Sequence, residues 1–199
     1  MRHGSDTPEP ASVSFSEEIA GYIDFDESAY DAAFRAGEAA GRRLALQLRF
    51  TADDVDRCLA EDRATARVSG WVRGDALGGP LELEDGEFHL AVHADGGRRM
   101  DYRLRFHDGA GRPITLVGFK DIRGDLEQAA PALYTRLLAG HVDAAGEPAA
   151  PVIATGILQL QPNELAKQLS SFRVSPPLRL DALTHFGLLF AGDLWETYR

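Results

Sequence analysis

Cysteine is almost absent from this chain of 199 residues, which contains a single one, Cys58. One thiol cannot form a disulfide within the chain, so a disulfide-stapled, secreted fold is not indicated. Cys58 lies in TADDVDRCLA, where helical spacing groups it with Val55 and Leu59. This grouping favours a small buried hydrophobic side chain over a catalytic nucleophile.

Positive charge and long apolar runs are also scarce. The 21 Lys and Arg residues are outnumbered by 31 Asp and Glu residues, which gives a net charge of −10. Nucleic acids and anionic membrane surfaces attract basic patches, so the sequence disfavours both as partners. No apolar run approaches the roughly 20 residues that a membrane-spanning helix requires, and we expect no membrane span.

The opening residues, MRHGSDTPEPAS, are polar, include two prolines and lack the apolar core of a signal peptide. We expect residues 1–12 to form a disordered N-terminal tail. Residues 13–199 have a length that suits one hydrophobic core, so we expect a single domain there. The corresponding expectation for location is the cytoplasm.

The sequence lacks the common catalytic and ligand-binding motifs. It has no phosphate-cradling glycine-rich loop, no cysteine pair for zinc, no His-Glu-x-x-His and no Gly-x-Ser-x-Gly. His89 and His93 lie four residues apart on one strand face with Glu87, but that face is the polar one and is expected to meet solvent. We therefore expect no metal and no cofactor.

What the sequence does have is alternation of apolar and polar residues. The segments LALQLRF, EFHLAV and MDYRLRF alternate at every second residue, which is typical of half-buried strands. Further strands are predicted in FSEEIAGYIDF, ARVSGWV, ITLVGFKDI, LYTRLLAG and VIATGILQL. The glycine-containing segments HADGGRR and HDGAGRP predict tight turns between neighbouring strands.

These eight or nine short strands predict an all-β fold with minor helices: an antiparallel β-barrel or a strongly curved sandwich. Helices are predicted in SAYDAAFRAGEAAGRR, TADDVDRCLA and PNELAKQLSSF, and a C-terminal helix in LDALTHFGLLFAGDLWETYR is expected to flank the sheet. The alternation predicts an interior lined by Phe15, Ile19, Leu46, Leu48, Phe88, Leu90, Met100, Leu104 and Phe106.

Two charged residues fall at apolar positions of predicted strands. Glu17 shares the parity of Phe15 and Ile19, and Lys120 shares that of Ile114 and Leu116, although Thr115, Val117 and Phe119 compete for the inner face. A buried charge is costly unless it is paired or hydrogen-bonded. Two interpretations follow: a bond from Glu17 to Lys120 or to a tyrosine that only organises the core, or a carboxyl that donates or accepts a proton in an apolar cavity.

The chain also resembles a known kind of region. SFSEEIAGYIDF, VSGWVRGDALGG, GEFHLAV, MDYRLRF, LVGFKDI, LYTRLLAGH, ATGIL and FGLLFAGDLWETY are similar, in this order, to an accessory region of large actinobacterial proteins. Those proteins carry cholesterol-oxidase-like glucose-methanol-choline oxidoreductase segments, some with α/β-hydrolase segments. The resemblance covers nearly the whole chain and implies an association with lipid, sterol or related secondary metabolism, without a known catalytic role for this region.

Within this resemblance, Glu17 matches the acidic position of the opening Phe-x-Glu pattern, and Lys120 matches the lysine that follows a Gly-aromatic or Gly-x pair. The chain departs from the pattern in DLEQAAPALY, where Glu127 replaces a tryptophan and residues 129–132 replace an Asp-Thr stretch. The polar groups of that stretch are therefore not expected here. The chain has no flavin-binding region, so the resemblance does not extend to flavin oxidation.

From these features we predict a cofactor-independent cyclase or isomerase that holds a lipid-, terpenoid- or polyketide-like molecule in an apolar barrel cavity. Glu17, Lys120 and Tyr102 are the predicted catalytic residues. The predicted ligand-binding residues are Ile19, Trp71, Phe88, Leu104, Phe106 and Tyr134. Two alternatives are a non-catalytic carrier of a hydrophobic ligand and an accessory subunit of an oxidoreductase, and a homo-oligomer is left open.

Overall fold

The computed structural model describes residues 12–53, 63–92, 98–122, 132–160, 171 and 173–174. The strands are β1 Val13–Asp24, β2 Arg43–Ala52, β3 Arg63–Gly74, β4 Gly79–Val92, β5 Arg98–His107, β6 Pro113–Ile122, β7 Leu133–Ala139, β8 Val152–Leu160 and β9 Arg173–Val174. One α-helix, α1, spans Tyr30–Ala39, and short 3-10 turns span Asp75–Leu77 and Glu147–Ala149.

The first eight strands form a closed antiparallel barrel. Each strand from β1 to β7 pairs with the next along the chain, and β8 pairs back to β1, with Ile19 opposite Leu160 and Asp24 opposite Thr155. The two-residue strand β9 adds to the start of β1, where Val13 lies opposite Val174. The predicted all-β class is confirmed, and the closure distinguishes the barrel from the sandwich.

Alternation determines which side chains fill the barrel. In β5, Met100, Tyr102, Leu104 and Phe106 are buried, while the residues between them are partly exposed. All of the residues that the sequence predicted to line the interior are buried: Phe15, Ile19, Leu46, Leu48, Phe88, Leu90, Met100, Leu104 and Phe106. This confirms the predicted core positions.

The first half of β4 was not predicted from the sequence. The segment GPLELEDG contains glycine, proline and three acidic residues, which are all depleted in strands. Its Leu81 and Leu83 are nevertheless buried, and the register with β5 shifts between Leu83 and Asp85. This β-bulge inserts one residue into β4. The next inward residues after Leu83 are therefore Gly86 and Phe88, one position later than regular alternation would place them.

Helix α1 flanks the barrel on the outside, against β1 and β8. It begins and ends within the helix that SAYDAAFRAGEAAGRR predicts, and the edge of its Phe34 ring meets Tyr22 of β1 with 5.6 Å between ring centroids. The predicted helices in PNELAKQLSSF, in most of TADDVDRCLA and at the C terminus lie outside the described residues. Within the described ranges, no helix has the length and apolar character needed to cross a bilayer.

The contact between α1 and β1 requires a glycine. A Cβ atom at Gly37 would lie 2.3 Å from the carbonyl oxygen of Ile23. Gly37→Ala should therefore destabilise the fold by about 1–3 kcal/mol through overpacking, although alanine is the better helix former. Glu38→Ala, at an exposed neighbour in the same helix, should change the free energy of unfolding by less than about 0.5 kcal/mol. Urea denaturation of both variants tests this, and an unchanged or raised stability of Gly37→Ala would contradict the contact.

Candidate functional site

Glu17 projects into the barrel from β1 and meets side chains from the opposite wall. Its Oε2 accepts a hydrogen bond from the Tyr102 hydroxyl at 3.1 Å, and its Oε1 forms an ion pair with Nζ of Lys120. Tyr102 stands on β5, which is four strands from β1 in either direction around the ring, and Lys120 stands on the adjacent strand β6. The carboxylate therefore links opposite sides of the barrel through its interior.

We call Glu17, Tyr102 and Lys120 the interior triad. Their exposed fractions are 5%, 3% and 3%. Register explains why Tyr102 and Lys120 meet: in the pairing of β5 with β6, Tyr102 lies opposite Gly118 and Met100 lies opposite Lys120. Gly118 between them has no side chain, and a Cβ atom there would lie 2.9 Å from Cδ1 of Leu133 on β7.

Lys120 also faces an aromatic ring. Its Nζ lies 5.3 Å from the centroid of the Tyr102 ring, within the range of a cation–π interaction. An ammonium group has three N–H donors, and among the described residues Glu17 supplies its single hydrogen-bond acceptor. The buried ammonium therefore has donor capacity that this part of the structure does not use.

Tyr102 stays protonated in this environment. Burial raises the pKa of its hydroxyl well above the ordinary value of 10.0, and the Glu17 carboxylate raises it further through its charge and the hydrogen bond. At neutral pH the tyrosine therefore acts as an O–H donor toward Glu17 and cannot act as a phenolate base.

A cluster of aromatic rings packs against the triad. Phe50 of β2 stacks on Phe15 with 4.5 Å between ring centroids, and its edge meets Phe88 at 5.2 Å and Tyr102 at 6.0 Å. Phe88 and Tyr102 are also in edge contact at 5.2 Å. On one side, therefore, the interior triad is surrounded by apolar rings. The low local dielectric constant there strengthens the hydrogen bonds within the triad.

The predicted ligand-binding residues divide between the inside and the outside of the barrel. Ile19, Phe88, Leu104 and Phe106 are buried inside it. Phe88 contacts the triad directly through Tyr102, whereas Phe106 pairs with Ile114 near the far end of β5. Their role in binding stays a prediction.

Trp71 and Tyr134 do not lie in the interior, which corrects the expectation that they line it. Trp71 is 43% exposed and pairs with Gln47 and Glu82, both on the outer face. Tyr134 also points outward, because Leu133 and Thr135 on either side of it occupy the inner positions of β7. In both strands apolar residues occur at both parities, so the alternation was ambiguous.

Tyr134 lines a groove on the outer wall of the barrel. Its ring stacks on Phe119 at 5.3 Å, and Tyr30 of α1 meets both rings edge-on. The groove encloses about 470 Å³ and is otherwise polar, with His89 and Arg136 among its lining residues. Nδ1 of His89 is buried without a hydrogen-bond partner among the described residues. The His89 side chain is 30% exposed, so it faces solvent only in part, as its Nδ1 is buried. His93 lies outside the described residues.

Sequence reasoning did not assign Phe50 to the site. Its inward position followed from the alternation in LALQLRF, but its place beside Tyr102 depends on the register of β1 with β2, in which Phe15 lies opposite Phe50 and Glu17 opposite Leu48. No local signal in the sequence sets that register.

Comparisons with known proteins give no assignment: the chain matches no family model, and no curated protein or solved structure shows significant similarity to it. The function must therefore be argued from the residues of the site.

The raised pKa of Tyr102 predicts a pH dependence of stability. A hydroxyl whose folded pKa exceeds its unfolded value stabilises the fold fully below about pH 10, and this contribution is lost as the pH rises further. Between pH 9 and 11, the wild type should lose more stability than Tyr102→Phe, by up to about 1.4 kcal/mol per pH unit. Tyr134→Phe, outside the barrel, should follow the wild type. Urea midpoints across this range measure it, and parallel curves for wild type and Tyr102→Phe would contradict the buried hydroxyl.

The Glu17–Lys120 pair predicts strong coupling between two substitutions. Lys120→Met or Glu17→Gln alone leaves a buried charge without its partner and should cost about 3–5 kcal/mol. The double variant removes both charges and keeps an amide oxygen for the Tyr102 hydroxyl, so it should be within about 1–2 kcal/mol of the wild type. A double-mutant cycle in urea tests this. Losses that simply add would show that the two side chains do not interact.

Proposed function

We propose that this protein binds a small, largely apolar molecule in its barrel and that the interior triad orients a polar group of that molecule. Eight-stranded barrels are wide enough for interior side chains or one small ligand. The observation that carries the proposal is the buried Lys120 ammonium, which has one acceptor among the described residues. A ligand carbonyl or hydroxyl oxygen is the kind of group that an unused N–H donor binds.

The position of the triad supports access from one end of the barrel. Lys120 stands near the end of β6, and its neighbour across the β5–β6 pair, Met100, stands near the beginning of β5. The other half of the barrel is filled by apolar side chains such as Leu104, Phe106 and Leu116, which are completely buried. A ligand held at the triad would therefore lie toward the Lys120 end.

For the reaction, we propose a cofactor-independent isomerisation or cyclisation of a lipid-, terpenoid- or polyketide-like substrate. Such reactions conserve atoms and electrons, so they need only proton movement and a fixed substrate conformation. Lys120 supplies N–H donors that polarise a carbonyl. The O–H of Tyr102 adds to them when it turns from Glu17, which then accepts a proton from carbon or oxygen. The apolar walls keep water from the reacting atoms.

A non-catalytic carrier is the second candidate, and one observation favours it. Both carboxylate oxygens of Glu17 already have partners in the triad, Lys120 and Tyr102. A carrier needs only the hydrogen-bonding capacity of the ammonium, whereas a base must first lose part of this pairing. The third alternative, an accessory subunit of an oxidoreductase, rests on the sequence resemblance alone.

The charge-free variant Glu17→Gln/Lys120→Met separates a functional triad from one that only organises the core. We expect the wild type to retain a small molecule through gentle purification, detected by native mass spectrometry and identified after extraction. The double variant should fold and retain at least tenfold less of that ligand. Leu116→Met, a nearly isosteric change elsewhere in the barrel, is the matched control and should retain wild-type levels.

Turnover distinguishes the enzyme from the carrier. If the extracted ligand or its precursor is converted to an isomer, Glu17→Gln should lower the rate by about 10²-fold or more, as expected for loss of a general base. A bound ligand without conversion would support the carrier. Equal ligand retention by the wild type and the double variant would remove the triad from function, and a stable complex with an oxidoreductase without any ligand would favour the accessory role.

A further inference from the structure

Two histidines and a glutamate meet on the outside of the barrel, away from the interior triad. Glu84 of β4, His107 at the end of β5 and His141 after β7 each place one ligand atom within 4.8 Å of the other two. Nδ1 of His107 contacts Oε1 of Glu84, and the two histidine rings lie 4.9 Å apart. Their side chains are 52%, 42% and 31% exposed for Glu84, His107 and His141, so an ion from solvent has access.

The β-bulge in β4 positions the glutamate. The register of β4 with β5 shifts between Leu83, which lies opposite Phe106, and Asp85, which lies opposite Arg105. Glu84 is the extra residue of this bulge, which turns its side chain toward His107. Glu84 therefore reaches the histidine because of a local irregularity in the strand.

The side chain of Thr115 holds the backbone on either side of His141 in place. Its hydroxyl donates to the carbonyl of Gly140 at 2.7 Å and accepts the N–H of Val142 at 2.8 Å, so it holds both residues that flank His141. Thr115 is completely buried, and Arg103 also donates to the Val142 carbonyl at 3.2 Å. The backbone that carries His141 is thus anchored on the barrel wall.

The ring of His141 is oriented as well. Its Nε2 lies 3.2 Å from the carbonyl oxygen of Phe106 and 4.0 Å from Oε2 of Glu84. Nε2 is therefore the ring nitrogen that faces the cluster, and binding of an ion there exchanges its contact with the Phe106 carbonyl for a bond to the metal.

We propose that Glu84, His107 and His141 form a binding site for a divalent transition-metal ion, with Zn²⁺ as the ion that the donor set fits best. Two imidazole nitrogens and one carboxylate are a common set of zinc ligands, and three protein ligands leave a position for water. The ion replaces the proton between Glu84 and His107. Arg105, two residues before His107, is paired with Asp85 and Glu87, which reduces its repulsion of a cation.

The site is independent of the proposed ligand function. Tyr102 and His107 lie on the same strand, and five residues at about 3.3 Å each separate them by about 17 Å. The sequence did not predict the site, because its residues are separated by 23 and 34 positions and match no metal motif. They meet only through the register of β4 with β5 and the return of the chain after β7.

The test uses the whole chain after removal of metal with EDTA. Titration with Zn²⁺ in a calorimeter should show one ion per chain, and imidazole ¹H–¹⁵N spectra should show two of the six histidines shifting. His107→Ala, His141→Ala and Glu84→Gln should each weaken Zn²⁺ binding by at least about tenfold, because each removes a ligand. The matched control is His89→Ala/His93→Ala, which should bind like the wild type.

The variants change exposed side chains, so circular dichroism should confirm that they fold. The proposal is overturned if the wild type binds no Zn²⁺ at 100-fold excess over about 10 μM protein. It is also overturned if His107→Ala/His141→Ala binds as tightly as the wild type, or if the control variant loses the binding instead.

Discussion

Pairing of β1 with both β2 and β8 closes the barrel, and the interior exists because of it. The pairing of β1 with β8 depends on two glycines: a Cβ atom at Gly21 would lie 2.0 Å from the carbonyl oxygen of Ile157, and one at Gly156 would lie 2.2 Å from that of Tyr22. The two strands therefore approach too closely for any inward side chain at these positions. Closure also directs Glu17 toward the far wall instead of a neighbouring strand.

The stability of the buried Glu17–Lys120 pair depends on two opposing contributions, the cost of desolvation and the gain from pairing. Removing a carboxylate and an ammonium from water costs several kcal/mol each, and the pair with its tyrosine hydrogen bond offsets much of this cost. Apolar residues of similar volume would often be as stable, so stability alone gives no reason for Glu17 and Lys120 to occupy the interior. The aromatic cluster around Phe50 makes the pairing stronger and the loss of either partner more damaging.

Local alternation predicted much of the fold, including the inward face of β5 and the burial of Glu17. It did not choose the face of Trp71, since ARVSGWV offers apolar residues at both parities. It also could not show that Glu17 meets both Tyr102 and Lys120, because contacts across a barrel depend on strand number and register. The cluster of Glu84 with two histidines depends on a β-bulge, which the segment GPLELEDG does not predict.

The short strand β9 has a consequence for the behaviour of the protein in concentrated solution. Strand β8 pairs with β1 from Ile19 to Asp24, whereas β9 pairs with Val13 and Ser14. Between these two pairings, the N–H of Ser16 donates to the hydroxyl of Ser171 at 2.8 Å. Exposed strand edges are templates for edge-to-edge association with other chains. Ser171 and strand β9 occupy this edge, so they protect the start of β1 from pairing with a second molecule.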